Sequence, residues 1–239
     1  MAVCDLERGH GISREQIRLG FIRKVYGIVS TQVTVTALVA ALACGPLQSP
    51  MITFAMNWPN CFHWGSLLAN GLALFLCHTG KNHYPVNFYG LCVLTAAIAL
   101  DVGILSAMIS AAGLGALLVQ AAVLTALLVL GLTIYTFRSK RDFSLLGAAL
   151  WQASFGLFGF GLLCTIFPSL NTSFMGFAVS FLGAGVFCCY LVFDTWRIAH
   201  ELEVDDFIEG AIQLYMDIVN MFVYLLDLLM QLSKDRRDG

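Results

Sequence analysis

The chain has 239 residues, 59% of them hydrophobic and only 12% charged, with a formal net charge of -2. A soluble domain carries roughly 25% charged residues, and a core of this length cannot absorb so much apolar surface while still covering itself with polar groups. Composition therefore excludes a soluble domain in favour of a polytopic membrane protein. The near-neutral balance excludes a nucleic-acid binder, which needs a basic footprint.

Residues 1–24 form a charged lead with Arg8, Arg14, Arg18, Arg23 and Lys24. Ser13-x-x-Gln16 has the form of a capping box, and Ile17, Phe21 and Val25 fall on one face. That pattern predicts a short amphipathic helix at the membrane surface. Ala41-Leu42-Ala43 resembles a leader cleavage site, but the 24-residue lead and the 22-residue uncharged run from Val25 to Pro46 are both too long for one.

Charges then almost vanish. No Lys, Arg, Asp or Glu occurs in the 56 residues 25–80, the 56 residues 82–137 contain only Asp101, and the 51 residues 143–193 contain none. A helical span needs about 20 apolar residues, so each stretch holds two spans and a turn. The turns fall at 45–64, with Pro46, Pro50 and Pro59, at 110–115 and at 168–173. The expected fold is all-α, with six transmembrane helices as three hairpins and a seventh apolar segment of a different kind at 207–231. One transmembrane domain covers 25–231, followed by a short basic tail, 232–239. No ten-residue alternating pattern supports a β-barrel.

Basic residues set the orientation. The lead and the even-numbered turns carry them (Lys81; Arg138, Lys140 and Arg141), whereas the odd-numbered turns carry none. The positive-inside rule then places the N-terminus in the cytoplasm. Lys234, Arg236 and Arg237 would also favour the cytoplasm, which seven full crossings deny. Either the last segment is re-entrant, or it spans and the tail tolerates the other side.

The eight cysteines are scattered without a C-x-x-C pair and the five histidines are dispersed, which argues against a structural zinc site. Asn171-Thr172-Ser173 is a glycosylation sequon in a loop too short to favour modification. The sequence has no G-x-S-x-G, phosphate-binding loop or dinucleotide fingerprint.

The sharpest signal is acid inside apolar spans, which costs several kcal/mol unless paired or wetted and so marks function by default. Asp101, Asp194 and Asp217 qualify. In the last segment Glu209, Gln213, Asp217, Asn220, Tyr224 and Asp227 follow at spacings of 4, 4, 3, 4 and 3, one helical stripe. Ile212, Tyr215, Val219, Phe222 and Leu226 make the opposite, mostly apolar face. Such a helix belongs in a protein interior. If Asp194 and Asp217 face each other they cannot both ionise in low dielectric and must share a proton. Protonated, the pair latches two helices; deprotonated, it repels itself and attracts a hard cation such as Ca2+. The plain alternative is that each is satisfied by backbone or by Arg197, three residues from Asp194. Asp227, near the interface, needs no functional reading.

These residues carry a resemblance. Phe193-Asp194-Thr195, then Asp205-Asp206-Phe207-Ile208, then the run Leu214 to Phe222 (LYMDIVNMF) resemble the C-terminal signature of the transmembrane Bax inhibitor motif family. Phe21 to Tyr26 (FIRKVY), His83 to Asn87 (HYPVN), Gly131 to Thr136 (GLTIYT) and Ser139 to Phe143 (SKRDF) resemble its Golgi anti-apoptotic, or lifeguard, branch. The similarity runs in order over nearly the whole chain. It implies a seven-helix fold whose last, short helix sits centrally among the other six. It also implies residence in Golgi or endoplasmic reticulum membranes, a Ca2+ leak from those stores, and suppression of cell death. The family's pH-sensing aspartate pair maps onto Asp194 and Asp217. Where the family often has a Glu in the third helix this chain has Ile98, with Asp101 one turn on. The basic latch at the end of the second helix has no clear counterpart; His78 is nearest and Lys81 is an alternative.

The expected function is a passive, pH-sensitive Ca2+ leak in which Asp194 and Asp217 bind the ion and form the gate. Asp101, Glu209, Gln213, Asn220 and Tyr224 line or support the path, and His78, Lys81 or Arg197 serves as latch. Ca2+ is cargo, and no organic cofactor or enzymatic activity is expected. Expected partners are the lipid bilayer and, beyond Ca2+, cell-death regulators or store Ca2+ channels. A proton-coupled Ca2+ antiporter would use the same carboxylates, and a non-conducting scaffold for cell-death or channel proteins is the rival of another class. An intramembrane aspartyl protease also pairs two aspartates, but its G-x-G-D motif is missing, since Leu214 and Met216 stand at the required positions.

Overall fold

The computed structural model describes residues 14–79, 85–170 and 172–238. These fold as eight helices: α1 (Arg14–Ala43), α2 (Gln48–Asn57), α3 (Pro59–Thr79), α4 (Val86–Ala111), α5 (Gly115–Arg138), α6 (Leu146–Ile166), α7 (Ser173–His200) and α8 (Phe207–Asp238). A three-residue 3-10 turn, Pro168–Leu170, joins α6 to α7, and there is no strand among the described residues. Six helices are long and apolar enough to cross a membrane, and α3 adds a shorter apolar stretch, Trp64–Cys77. The chain is a multi-pass membrane protein.

Local chemistry explains the element ends. Nothing in the 30 residues of α1 breaks a helix before Gly45-Pro46, and Ser30, Thr31 and Thr34 return their hydroxyl protons to carbonyls one turn back. The lead expected as a separate surface helix is therefore, from Arg14 onward, the first part of α1. Its face is also shifted: Phe21 and Val25 are buried, together with Val29, Gln32 and Thr36, while Ile17 is exposed. The predicted turn at 45–64 is largely helical. Pro59 removes a donor and clashes with a helical Trp58, so Trp58 leaves helical geometry (φ -130°, ψ 54°) and one helix becomes α2 and α3. Between α4 and α5 the chain reverses through Gly113, which takes φ 77°. The Thr172 side chain caps α7 by accepting from Met175 N–H at 3.3 Å.

α8 is the hub. It packs on α1, α4, α5 and α7, and no residue from Asp206 to Gln231 is exposed. The final element was expected to be short or re-entrant, yet it runs as one helix of 32 residues, of which Phe207–Lys234 suffices to span. Glu209, Asp217 and Asp227 do not break it because each faces neighbouring protein. Phe21, Val25 and Val29 of α1 meet Leu191 and Ile198 of α7 and Leu214 and Met221 of α8 in the main core. Tyr215, fully buried, joins Leu94, Ile98 and Val102 of α4 on the other side. α6 lies at the rim, where Leu150 is its one buried residue among the described side chains, and its aromatic residues face outward. A bilayer, not a core, covers that surface.

Candidate ion site on the last two helices

Asp194 lies near the end of α7 and Asp217 about one-third of the way along α8, each 5% exposed. Their carboxyl groups face each other within hydrogen-bonding reach. Asp217 Oδ2 is buried without a donor. Two carboxylates offer each other no proton, so the close approach is stable when one proton is shared between them. The sequence reading paired these two acids, and the fold brings them together.

On the α7–α8 turn side of the pair stands Arg197. Its Nη1 lies 3.4 Å from Asp194 Oδ1 and donates to Gln213 Oε1 at 3.1 Å. Glu201 Oε2 lies 3.7 Å from Nε, and Glu209 Oε1 lies 3.9 Å from Nη2. Gln213 Nε2 donates in turn to Glu209 at 3.4 Å. One guanidinium thus ties α7 to the first turns of α8, spreading five donors over acceptors from both helices. Of the three latch candidates, Arg197 is the base that the fold brings to Asp194. Lys81 and the side chain of His78 lie outside the described residues, as does Asn171 of the sequon.

The rest of the stripe divides. Tyr224 lays its ring against Gly183 and stacks on Phe187 with centroids 5.6 Å apart, so it packs α8 to α7. Asp227 accepts from the Ser180 hydroxyl, a partner on α7 that sequence alone did not suggest. Asn220 turns away from the carboxyl pair into a cavity of about 300 Å³ between α3, α4 and α8. There Asp101 Oδ2 accepts from Ser66 Oγ at 2.7 Å and from Asn70 Nδ2 at 2.9 Å. Ser66 and Asn70 were missed, although two polar residues one helical turn apart in an apolar span are a readable signal. Among the described residues no three His, Cys, Asp or Glu side chains gather as a metal cluster, so a cation between Asp194 and Asp217 must complete its shell with amide oxygen and water.

Residues 18–234 match the family model described as inhibitor of apoptosis-promoting Bax1. The chain belongs to this Bax inhibitor family. It is 34% identical to protein LIFEGUARD 1 of Arabidopsis thaliana, over 96% of this chain and 99% of that one. It is 34% identical to protein lifeguard 4 of Mus musculus, over 91% and 87% respectively. It is 35% identical to the Golgi anti-apoptotic protein of Vaccinia virus (strain Lister), over 89% and 86%. The Bax inhibitor signature expected from the last two helices is thus carried by a match that includes both aspartates.

Proposed function

We propose that this Bax inhibitor family protein is a pH-sensitive Ca2+ leak of intracellular store membranes that suppresses cell death. The observation that carries the reading is the buried Asp194–Asp217 pair, one carboxyl oxygen of which has no donor. With its shared proton the pair holds α7 against α8. Loss of that proton leaves two negative charges in low dielectric, which part or take up a cation. Flux therefore rises as pH rises through the pair's titration. Arg197, in contact with Asp194 and Gln213, is the basic residue on the turn side and favours the pair's ionised form. Suppression of cell death, and residence in Golgi or endoplasmic reticulum membranes with the N-terminus cytoplasmic, rest on the family, on relatives named as Golgi anti-apoptotic proteins and on the basic residues.

The test is Ca2+ flux in proteoliposomes from about pH 5 to about pH 8, the span a buried carboxyl pair can reach. Wild type is expected to conduct with a steep pH dependence that Asp217→Asn flattens. Ca2+ uptake driven by an outward proton gradient, and lost when that gradient is collapsed, would replace the leak with an antiporter. Absence of flux at every pH would overturn conduction and leave a scaffold for cell-death or channel proteins.

A further inference from the structure

A second polar site sits beside the carboxyl pair. Asp101 is the one charged residue of α4, and no cationic side chain among the described residues pairs with it. Its two neighbours are neutral donors, Ser66 and Asn70, and both spend their protons on the same oxygen, Oδ2. The carboxylate only accepts, so the Asn70 amide must turn its nitrogen toward Asp101 and its oxygen away. That oxygen, Oδ1, is buried and without a donor. Asn220, across the cavity, donates its amide proton to Met216 O of its own helix at 2.8 Å, which frees its oxygen for the cavity. The site thus holds a surplus of oxygen acceptors, one negative charge and, among the described residues, no basic partner. An isolated charge and an orphan carbonyl at this depth each cost free energy, and a bound cation offsets both.

We infer that the cavity bounded by Asn70, Asp101 and Asn220 is a cation-binding site, distinct from the Asp194–Asp217 pair, that takes a hard, partly hydrated divalent ion. Hard cations prefer carboxylate and amide oxygen, and about 300 Å³ leaves room for the waters that complete a shell of six to eight. The remaining lining, Leu74, Leu94, Val102 and Val223 among it, is apolar and offers the ion no competing ligand. Asn220 follows Asp217 by three residues on α8, so the two sites lie within one helical turn of each other along that helix. The choice of Ca2+ rests on the proposed leak, whereas the oxygen surplus does not.

The experiment is isothermal titration of full-length protein in nanodiscs with CaCl2, paired with melting temperatures taken without Ca2+. Asp101→Asn keeps the shape and can still accept from Ser66 and Asn70, so it is expected to fold normally and to lose at least tenfold in affinity at one class of site. Asn220→Ala, whose amide proton goes only to its own helix, is the second variant and should weaken the same class. The Asp194→Asn/Asp217→Asn double variant should keep it. Binding unchanged in both Asp101→Asn and Asn220→Ala, or abolished in the double variant alone, overturns the site and leaves the cavity to lipid chains. A wild type that binds Ca2+ through Asp101 yet passes no current would sink the leak and spare this site.

Discussion

Arg197 is the residue on which the behaviour of the acid pair turns. It supplies positive charge within 3.4 Å of Asp194 and is itself a quarter exposed, so it favours the ionised form of the pair without being locked in place. Arg197→Gln is expected to move the pH midpoint of flux to higher pH, since the pair then keeps its proton longer; an unchanged profile in the proteoliposome assay would remove Arg197 from the gate. Gly183 acts through shape alone. A Cβ there would overlap the Tyr224 ring, and any shift of that ring disturbs its stacking on Phe187, one turn along α7 from Gly183. Gly183→Ala should destabilise by about 1–3 kcal/mol, the range for overpacking, and Tyr224→Leu added to it should recover part of the loss. Thermal melts of the two variants decide the point.

At the scale of elements, α1 braces the α7–α8 turn. Arg18 donates to Ala199 O at 2.9 Å and to Leu202 O, capping carbonyls at the end of α7 that have no partner further along the helix, and Lys24 lies 3.1 Å over the Phe207 ring where α8 begins. Arg18→Ala should speed hydrogen exchange of the amides around 199–206 roughly tenfold, equivalent to about 1.4 kcal/mol, with little change elsewhere. On its opposite face α8 is pinned by Tyr215, whose hydroxyl meets Thr36 Oγ1 at 2.6 Å. Tyr215→Phe leaves the Thr36 proton satisfied by Gln32 O and should cost about 1 kcal/mol in unfolding experiments. These two contacts hold α8 in register, so that Asp217 stays opposite Asp194 rather than a turn away.

For the whole molecule, the basic residues of the 139–141 segment predict a cytoplasmic loop, and an epitope inserted between Lys140 and Arg141 should be stained after selective permeabilisation of the plasma membrane alone. Staining that requires full permeabilisation would invert the topology. The spans were legible in the sequence because exclusion of charge from lipid is a local, residue-by-residue cost, and the stripe on α8 was legible because helical periodicity is intrinsic to the backbone. The acid pair was legible in outline, since buried charge at Asp194 and Asp217 needs a partner and the stripe gave the face. Other features were decided by packing between distant segments. Asp101 depends on Ser66 and Asn70 of another helix, Asp227 on Ser180, and Arg197 on the rotation that turns it toward Gln213. The uninterrupted length of α8 belongs with these, because a helix with three acids between Phe207 and Lys234 persists in a membrane only where neighbours cover it. Hydropathy says which residues leave water; which neighbours they meet is set by how the helices rotate and pack, and only the tertiary structure decides that.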